Sequence, residues 1–374
     1  MLKKDFNCEL SRTTAKVSSA NEVQCFTALV KALSKNNYVY TETVHGLKGL
    51  VEHNLKHSHT IGHRQKCEMA DLLIIFMSNK GNIRYTFLQN KRDRKITYSP
   101  TSPLKRIHAT PIQWDLLHYK CPLISAVSSS NFPKNCLSNA ILDSVGTYGI
   151  FVNDSGASTV DMSYSIANDM ILTSKAPING KHKRSITINS NYGTIRTVNG
   201  YDEIEGTKTL NQFEIAGKAM LIGTPLTPEV NEECKNLAED IVGLAKACLQ
   251  KQPNDYLSSK IDRYIQNNEL TPNVISNNIV RSVVIIDAYD NVIYLTENIS
   301  NEKINVVKNF FGDSVTISKQ TDIKNKDSLI IYDEKLLKSS DIRLPVELNT
   351  GNANHYIAKI IGKELCFTNQ ISQF

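Results

Sequence analysis

The sequence predicts an α/β protein of more than one domain. Apolar residues recur at helical spacing in some stretches, alternate with polar residues in others, and form short unbroken runs in a third group. That mixture is typical of helices packed on a sheet. The 374 residues suffice for two or three domains, and 41% hydrophobic with 21% charged residues indicate a globular chain.

Composition also restricts where the protein acts. The longest apolar run is far shorter than the roughly 20 residues of a membrane span, and the first residues lack the apolar core of a secretory signal. Eight cysteines occur without a CxxC pair, which favours reduced thiols. We therefore expect a cytoplasmic protein with no membrane partner.

Charge is distributed unevenly along the chain. Residues 1–125 contain 19 Lys and Arg against 9 Asp and Glu, a net charge of +10, whereas the remainder carries −4. The basic N-terminal third suggests a polyanionic partner, although on charge alone a solvated basic surface explains it equally well.

The first elements along the chain are a helix and three strands. In VQCFTALVKAL, which follows Ser19–Glu22, apolar residues recur at helical spacing. YVYTETV alternates as a strand, and DLLIIFMS and IRYTFLQNK, joined by NKGN, predict an antiparallel hairpin. A second helix, PIQWDLLHYK, begins at Thr110–Pro111, and the strand CPLISAV follows it.

In the rest of the chain, two regions with predicted strands flank a helical region. Residues 147–200 are strand-like with polar turns, and residues 208–268 contain three helical stretches. The last hundred residues combine the strands VRSVVIIDAYDNVIYL and SLIIYD with a predicted helix, INVVKNFF. The segment GTPLTPEV, with one glycine and two prolines, is the expected domain boundary.

Polar residues interrupt the apolar hairpin at one end. Asp71 opens the first strand, and Gln89 and Lys91 end the second, where alternation puts both on one face. Burying such groups is costly unless they pair or bind something. Oxygen ligands suit Mg²⁺, and a neighbouring lysine can orient a water molecule and stabilise charge on a phosphate, so the set indicates metal-dependent phosphodiester cleavage.

The order Asp71…Gln89-Asn90-Lys91, on a hairpin after a helix that opens with Glu22, resembles the PD-(D/E)xK nuclease superfamily. The resemblance covers about residues 15–130, and the sequence is similar to the branches of the superfamily that carry QxK in place of ExK. It implies a restriction-endonuclease-like mixed sheet flanked by helices within a domain of residues 1–225. A C-terminal α/β or α+β domain, residues 226–374, would select substrate, dimerise or bind a partner.

The same resemblance implies the roles of the site residues. Asp71, Gln89 and Glu22 would hold Mg²⁺, for which Mn²⁺ can substitute, and Lys91 would be the catalytic lysine. The chain departs from the family pattern in two places, since residue 70 is Ala rather than Pro and Gln89 removes a negative charge. Glu22 or Glu68 would have to supply that charge.

The function implied is cleavage of DNA in restriction or anti-phage defence, as a possible homodimer or with a defence-system protein partner. The cationic side chains expected to contact DNA are Arg64, Arg92, Arg94, Lys95, Lys105 and Arg106. The alternative is a catalytically inactive nucleic-acid-binding or assembly protein with the same fold. An RNase is also compatible, because nothing in the sequence reports on the 2′-hydroxyl.

Each candidate residue also has a purely structural interpretation. Glu22 follows Ser19 at capping-box spacing, and Gln113 follows Thr110 likewise; for Gln113 we favour the cap. Asp71 can be a strand residue at the solvent edge, and Lys91 the first residue of an exposed basic loop.

The histidine-rich stretch 45–63, interpreted as a loop or short helix, offers His57, His59 and His63 as zinc ligands. We favour instead histidines that line a substrate channel or face water.

Overall fold

The computed structural model describes most of the chain as far as Ala288 and, beyond it, the backbone of five strands. The described ranges are 2–35, 37–41, 50–57, 61–78, 81–98, 104–126, 133–154, 158–173, 182–272, 280–288, 293–297, 315–321, 327–333, 357–361 and 364–368. The protein is a mixed α/β structure with a mixed sheet flanked by helices, as the sequence predicts. Within these ranges no helix is long and apolar enough to cross a membrane.

Six α-helices lie in the described part before Ala288. They are α1 (Leu2–Thr13), α2 (Glu22–Leu33), α3 (Pro111–His118), α4 (Leu210–Lys218), α5 (Glu232–Lys251) and α6 (Asp255–Asn267). Five of them match stretches with predicted helical spacing. Helix α1 is not among the predicted helices, although the buried residues Leu2, Phe6 and Leu10 of this helix recur every four positions.

Sixteen strands accompany these helices in the same part of the chain. They are β1 (Tyr38–Thr41), β2 (Leu50–Asn54), β3 (Arg64–Glu68), β4 (Ala70–Met77), β5 (Ile83–Tyr98), β6 (Arg106–Ala109), β7 (Leu123–Ala126), β8 (Gly146–Asp154), β9 (Val160–Ile166), β10 (Met170–Leu172), β11 (Arg184–Ile188), β12 (Ile195–Val198), β13 (Tyr201–Ile204), β14 (Gly206–Thr207), β15 (Thr224–Pro225) and β16 (Val280–Asp287).

The main sheet has the strand order β1-β16-β4-β5-β8-β9-β14, and β15 also pairs with β5. The predicted hairpin is its centre: β4 and β5 are antiparallel, with Leu72 opposite Leu88. β16 lies parallel to β4, and β8 lies parallel to β5. Because all of β4 is buried, its run of apolar residues is continuous rather than alternating.

Helices cover both faces of this sheet. On one face the rings of Phe6 in α1 and Phe151 in β8 stack at 5.5 Å between centroids. On the same face α4 packs at Gly217, where an added Cβ would clash with the ring of Phe76. On the other face, Leu73 of β4 and Phe87 of β5 share one apolar cluster with residues of α3 and α5. The burial of both faces gives the sheet its stability.

The histidine-rich stretch does not form the predicted loop or short helix. β2 lies within it, and β3 begins directly after it; the two strands pair antiparallel with Val51 opposite Cys67. β7 pairs with the other edge of β2 to complete a sheet of three strands. Polar residues on the exposed face of β2 and β3 hid the alternation in the sequence.

The chain divides into compact units after Ala288, not near residue 225. The expected boundary segment GTPLTPEV is held to the central sheet instead. It contains β15, which pairs with β5, and the Leu226 N–H donates to the Ile83 carbonyl at 2.9 Å. The strand β16 follows α5 and α6 and completes the sheet, so residues 226–288 belong to the first unit.

The second unit covers residues 289–374 and is described through its strands alone. β17 (Ile293–Glu297) and β18 (Val315–Thr321) both pair antiparallel with β19 (Asp327–Asp333). β20 (Ile357–Ile361) and β21 (Glu364–Thr368) form a hairpin. The predicted helix INVVKNFF lies outside the described residues.

We expect the first unit to fold as a chain ending at Ala288 but not as one ending at Pro272. The second chain lacks β16, whose five buried Val and Ile side chains contribute roughly 1.5–3 kcal/mol each. That sum rivals the about 5–15 kcal/mol of a whole domain. Thermal unfolding followed by circular dichroism should be cooperative only for the longer chain. Equal midpoints for the two chains would contradict the assignment.

Candidate functional site

The three polar residues of the hairpin meet at one end of the main sheet. Gln89 Nε2 donates to Asp71 Oδ2 at 2.7 Å, across the β4–β5 pair. Lys91 is on the same face of β5 as Gln89, and its charge acts on the Asp71 carboxyl. Only 3% of Asp71, 1% of Gln89 and 8% of Lys91 is exposed. Asp71 is therefore not at a solvent edge, and Lys91 does not begin an exposed loop.

The Asp71 carboxylate is held by groups from the two strands that flank β4. Besides Gln89 of β5, the Asn90 N–H donates to Oδ2 at 2.8 Å, and Arg281 Nε of β16 lies 3.5 Å from Oδ1. Burial nevertheless raises the pKa of Asp71 from 3.8 to about 6, against the opposing effects of Lys91, Arg281 and the Asn90 N–H. The cost of burying this carboxylate thus outweighs the effect of the positive charges around it.

Glu22 joins the cluster from the first turn of α2. Its Oε1 lies 3.4 Å from Lys91 Nζ, and 36% of its side chain is exposed. The capping box expected between Ser19 and Glu22 is not formed. Asn21 is the cap and exchanges hydrogen bonds with Gln24 instead, which leaves the Glu22 carboxylate available to Lys91.

Gln113 also belongs to the site, and its predicted role as a helix cap is wrong. The Thr110 side chain makes no capping hydrogen bond. The Gln113 amide Nε2 donates to Gln89 Oε1 and, at 3.1 Å, to the Glu68 carbonyl. The first turn of α3 therefore fixes the orientation of the Gln89 amide.

Arg281 and Glu68 complete the charged groups around the carboxylate. Arg281 Nη2 donates to both Glu68 carboxylate oxygens at 3.1 and 3.2 Å, and the guanidinium lies 5.9 Å from the centroid of the Phe26 ring. Arg281 is not among the predicted site residues, because it lies in the segment expected to form the C-terminal domain. Glu68 had been considered only as a substitute source of negative charge.

This set of groups has the donor chemistry of a site for a hard divalent cation. Asp71 and Glu22 offer carboxylate oxygens, and Gln89 offers an amide oxygen. The Gln89 oxygen now accepts from Gln113, while its nitrogen faces Asp71. A half-turn of both amides would keep their mutual hydrogen bond and bring Gln89 Oε1 toward the carboxylate. In that arrangement Gln89 Oε1 and the nearby Asp71 carboxylate oxygen would repel each other unless a cation lay between them.

The half-buried Arg92, which the sequence predicts as a DNA contact, is engaged in hydrogen bonds within the fold. Its guanidinium donates to the Ser18 carbonyl, the Phe151 carbonyl and Asn153 Oδ1 at 3.1, 3.1 and 2.5 Å, and its Nε donates to the Ala20 carbonyl at 3.3 Å. Burial lowers its pKa. Arg92 thus fastens the chain before α2 to β8, which positions Glu22.

Four of the remaining predicted DNA contacts are exposed. They are Arg64 on β3, Arg94 on β5, Lys105, and Arg106 on β6. The side chain of Lys95 lies outside the described residues. Exposed cations are compatible with phosphate contacts, and they are equally compatible with a solvated surface.

The zinc set of His57, His59 and His63, which we considered and did not favour, is not assembled by the described residues. His63 is exposed, and the ring of His57 lies edge-on to Trp114 at 5.7 Å between centroids. His59 lies outside the described residues. The proposal of zinc ligation by His57, His59 and His63 therefore gains no support.

Comparison of the chain with protein-family models, with curated proteins and with solved structures finds no match in any of the three. Functional inference consequently depends on the geometry of the site.

Stability should depend on pH through Asp71. The pKa of Asp71 is about 6 in the folded state, above the ordinary 3.8. Between these two pH values the folded protein therefore keeps a proton that the unfolded chain has already released. The wild type therefore loses stability as the pH rises through this interval. Asp71→Asn abolishes the titration, so its unfolding free energy relative to wild type should rise by about 3 kcal/mol between about pH 4 and pH 7.

Urea unfolding at several pH values measures this difference. Asp255→Asn, at an exposed carboxylate in the first turn of α6, is the matched control and should show no such trend. Parallel pH profiles for Asp71→Asn and the wild type would refute the assignment.

Proposed function

We propose that the protein is a Mg²⁺-dependent endonuclease that hydrolyses DNA phosphodiester bonds, with the architecture of the PD-(D/E)xK superfamily. The observation that carries the proposal is the meeting of Asp71, Gln89 and Lys91 on one face of adjacent strands, beside Glu22 of α2. A hydrophobic sheet seldom accumulates buried polar groups without a function for them.

Each residue has a role in this proposal. Asp71, Gln89 through its amide oxygen, and Glu22 would hold the metal, and when bound it would polarise the phosphate and lower the pKa of a water molecule. The Lys91 ammonium orients the attacking water and stabilises negative charge on the phosphate. Gln113 is a positioning residue, since it contacts Gln89 and sets which way that amide points.

The exposed cations would guide the substrate. Arg64, Arg94, Lys105 and Arg106 would contact phosphates on both sides of the scissile bond. Restriction of the activity to foreign DNA, homodimerisation and a defence-system partner are part of the proposal by analogy with the superfamily. We assign the selection of substrate or partner to the second unit.

A specific observation favours a second candidate, a nucleic-acid-binding protein without catalysis. Arg281 already lies against Asp71 and Glu68, so a guanidinium provides part of the positive charge that a metal would provide. With the Gln89 nitrogen also facing Asp71, the carboxylate is satisfied without a metal. This arrangement would preserve the fold after loss of the chemistry.

Plasmid DNA incubated with the protein and Mg²⁺ or Mn²⁺ tests the proposed activity. We expect nicking by the wild type, its loss in Asp71→Asn, and a decrease of about 10²–10³ in rate in Lys91→Ala, because charge stabilisation on the phosphate is removed. Binding of DNA in Ca²⁺ should stay nearly unchanged in Lys91→Ala.

Lys105→Ala is the matched control, since this lysine is exposed and is not one of the buried polar residues of the site. It should keep the cleavage rate at saturating DNA and reduce the salt dependence of binding by about one charge. If the wild type cleaves neither DNA nor RNA with either metal, the nuclease proposal is refuted.

Titration calorimetry with Mn²⁺ distinguishes the two candidates through Arg281. In the nuclease the wild type binds the metal, and Arg281→Gln changes the affinity by less than about tenfold, a small free-energy change. In the non-catalytic protein the wild type binds no metal, and Arg281→Gln creates binding because Asp71 loses its counter-ion. Asp71→Asn should abolish binding in either case.

A further inference from the structure

A second cluster of potential metal ligands lies beside α3 and is made of residues that do not belong to the candidate nuclease site. It consists of His53 on β2, Asp115 on α3 and Cys121 between α3 and β7, and all three are fully buried. One ligand atom from each residue lies within 4.8 Å of the other two. A histidine, a carboxylate and a thiol differ from the all-oxygen donors around Asp71.

The spacing within this cluster suits a tetrahedral metal. His53 Nε2 lies 3.6 Å from Asp115 Oδ1, and Cys121 Sγ lies 3.8 Å from the same oxygen. Bonds of 2.0–2.3 Å to zinc place neighbouring tetrahedral ligands about 3.3–3.8 Å apart. Both separations are close to that range. The His53–Asp115 separation is too long for a normal hydrogen bond, whereas the Cys121 thiol donates to Asp115 Oδ1 and, at 3.7 Å, to the Asp115 carbonyl.

His53 supplies an independent reason to expect a ligand. Neither of its ring nitrogens has a hydrogen-bond partner, although the side chain is 0% exposed. A buried imidazole without partners costs free energy that a leucine in its place would not cost. Nε2 is the nitrogen directed at Asp115 and is free to bind a metal.

We propose that His53, Asp115 and Cys121 bind one Zn²⁺ in the interior of the first unit. Mixed nitrogen, oxygen and thiolate ligation suits zinc, and full burial indicates a structural rather than a catalytic ion. Cys67 is on the same buried face of the β2–β3 pair as His53, two residue pairs further along, but it lies outside this group of mutually close ligand atoms. Cys121 is therefore the thiol that the cluster offers to the metal.

The ion would connect parts of the fold that are otherwise joined by few polar contacts. Asp115 already accepts from the Lys56 and His57 N–H groups at 3.0 and 2.8 Å, which ties α3 to the end of β2. Zinc would add the start of β7 through Cys121. Because Gln113 is on the same helix, zinc would also fix α3 where that residue contacts Gln89.

The competing explanation is that Asp115 only caps the turn after β2, with His53 and Cys121 as ordinary buried residues. That explanation accounts for Asp115 and leaves the unpartnered imidazole unexplained. Burial raises the pKa of Cys121 to about 12, and the Asp115 charge adds to the effect, so a metal-free thiol stays protonated. Zinc binding at neutral pH would therefore release a proton.

Cobalt substitution of the full chain tests the proposal. After chelation, we expect the wild type to bind one Co²⁺ per chain, with the visible bands of a tetrahedral site and a sulfur-to-cobalt charge-transfer band, and to release Co²⁺ on addition of one equivalent of Zn²⁺. Zn²⁺ should also raise the thermal midpoint of the chelated protein. A chain that shows no cobalt bands and no zinc-induced shift overturns the proposal.

Three variants assign the ligands. Cys121→Ser should lose the charge-transfer band, and the matched control Cys248→Ser, at a buried thiol on α5, should keep it. A band that persists in Cys121→Ser would mean that other thiols bind the metal and would overturn the proposal. His53→Leu removes the unpartnered imidazole, so it should fold without metal, and its midpoint should no longer respond to Zn²⁺.

Asp71→Asn separates the zinc site from the proposed nuclease site. We expect this variant to keep the cobalt spectrum and the zinc-induced shift in full. If Asp71→Asn abolishes both, the metal binds at the sheet end instead, and the assignment to His53, Asp115 and Cys121 is wrong.

Discussion

The buried carboxylate of Asp71 is the constraint around which the first unit is organised. Its partners come from the hairpin strand β5 and from β16, at 2.7, 2.8 and 3.5 Å. An unpaired carboxylate at this depth would be costly, so the register of both neighbouring strands must keep these partners in place. The positions of α2 and α3 follow, because Glu22 and Gln113 contact Lys91 and Gln89.

Local pattern was sufficient to predict the centre of the site. The period of two in β5 correctly put Gln89 and Lys91 on one face, and the NKGN turn correctly paired that strand with β4. The start of α2 was correct to within a residue or two, but the cap was misassigned, since Ser19 and Asn21 compete for the same role and only Asn21 accepts the hydrogen bond.

What the sequence could not disclose depends on contacts between distant segments. β16 is separated from β4 by some 200 residues, and no local signal distinguishes an inserted strand from the first strand of a new domain. Arg281 was missed for that reason. The histidine-rich stretch shows the opposite case, in which a local signal misleads. Its density of histidine suggests a metal site within the stretch, whereas the cluster beside α3 takes one histidine from it and its other members from residues 115 and 121.

The position of β16 also has a consequence for the order in which the protein is made. After β4, a ribosome must synthesise some 200 further residues before the strand that lies between β1 and β4 exists. Until then β1 has no neighbour in the sheet, β4 keeps an open edge, and Asp71 has no guanidinium beside it. The nascent chain therefore cannot complete the electrostatic environment of this carboxylate until the roughly 210 residues between Asp71 and Arg281 have been translated.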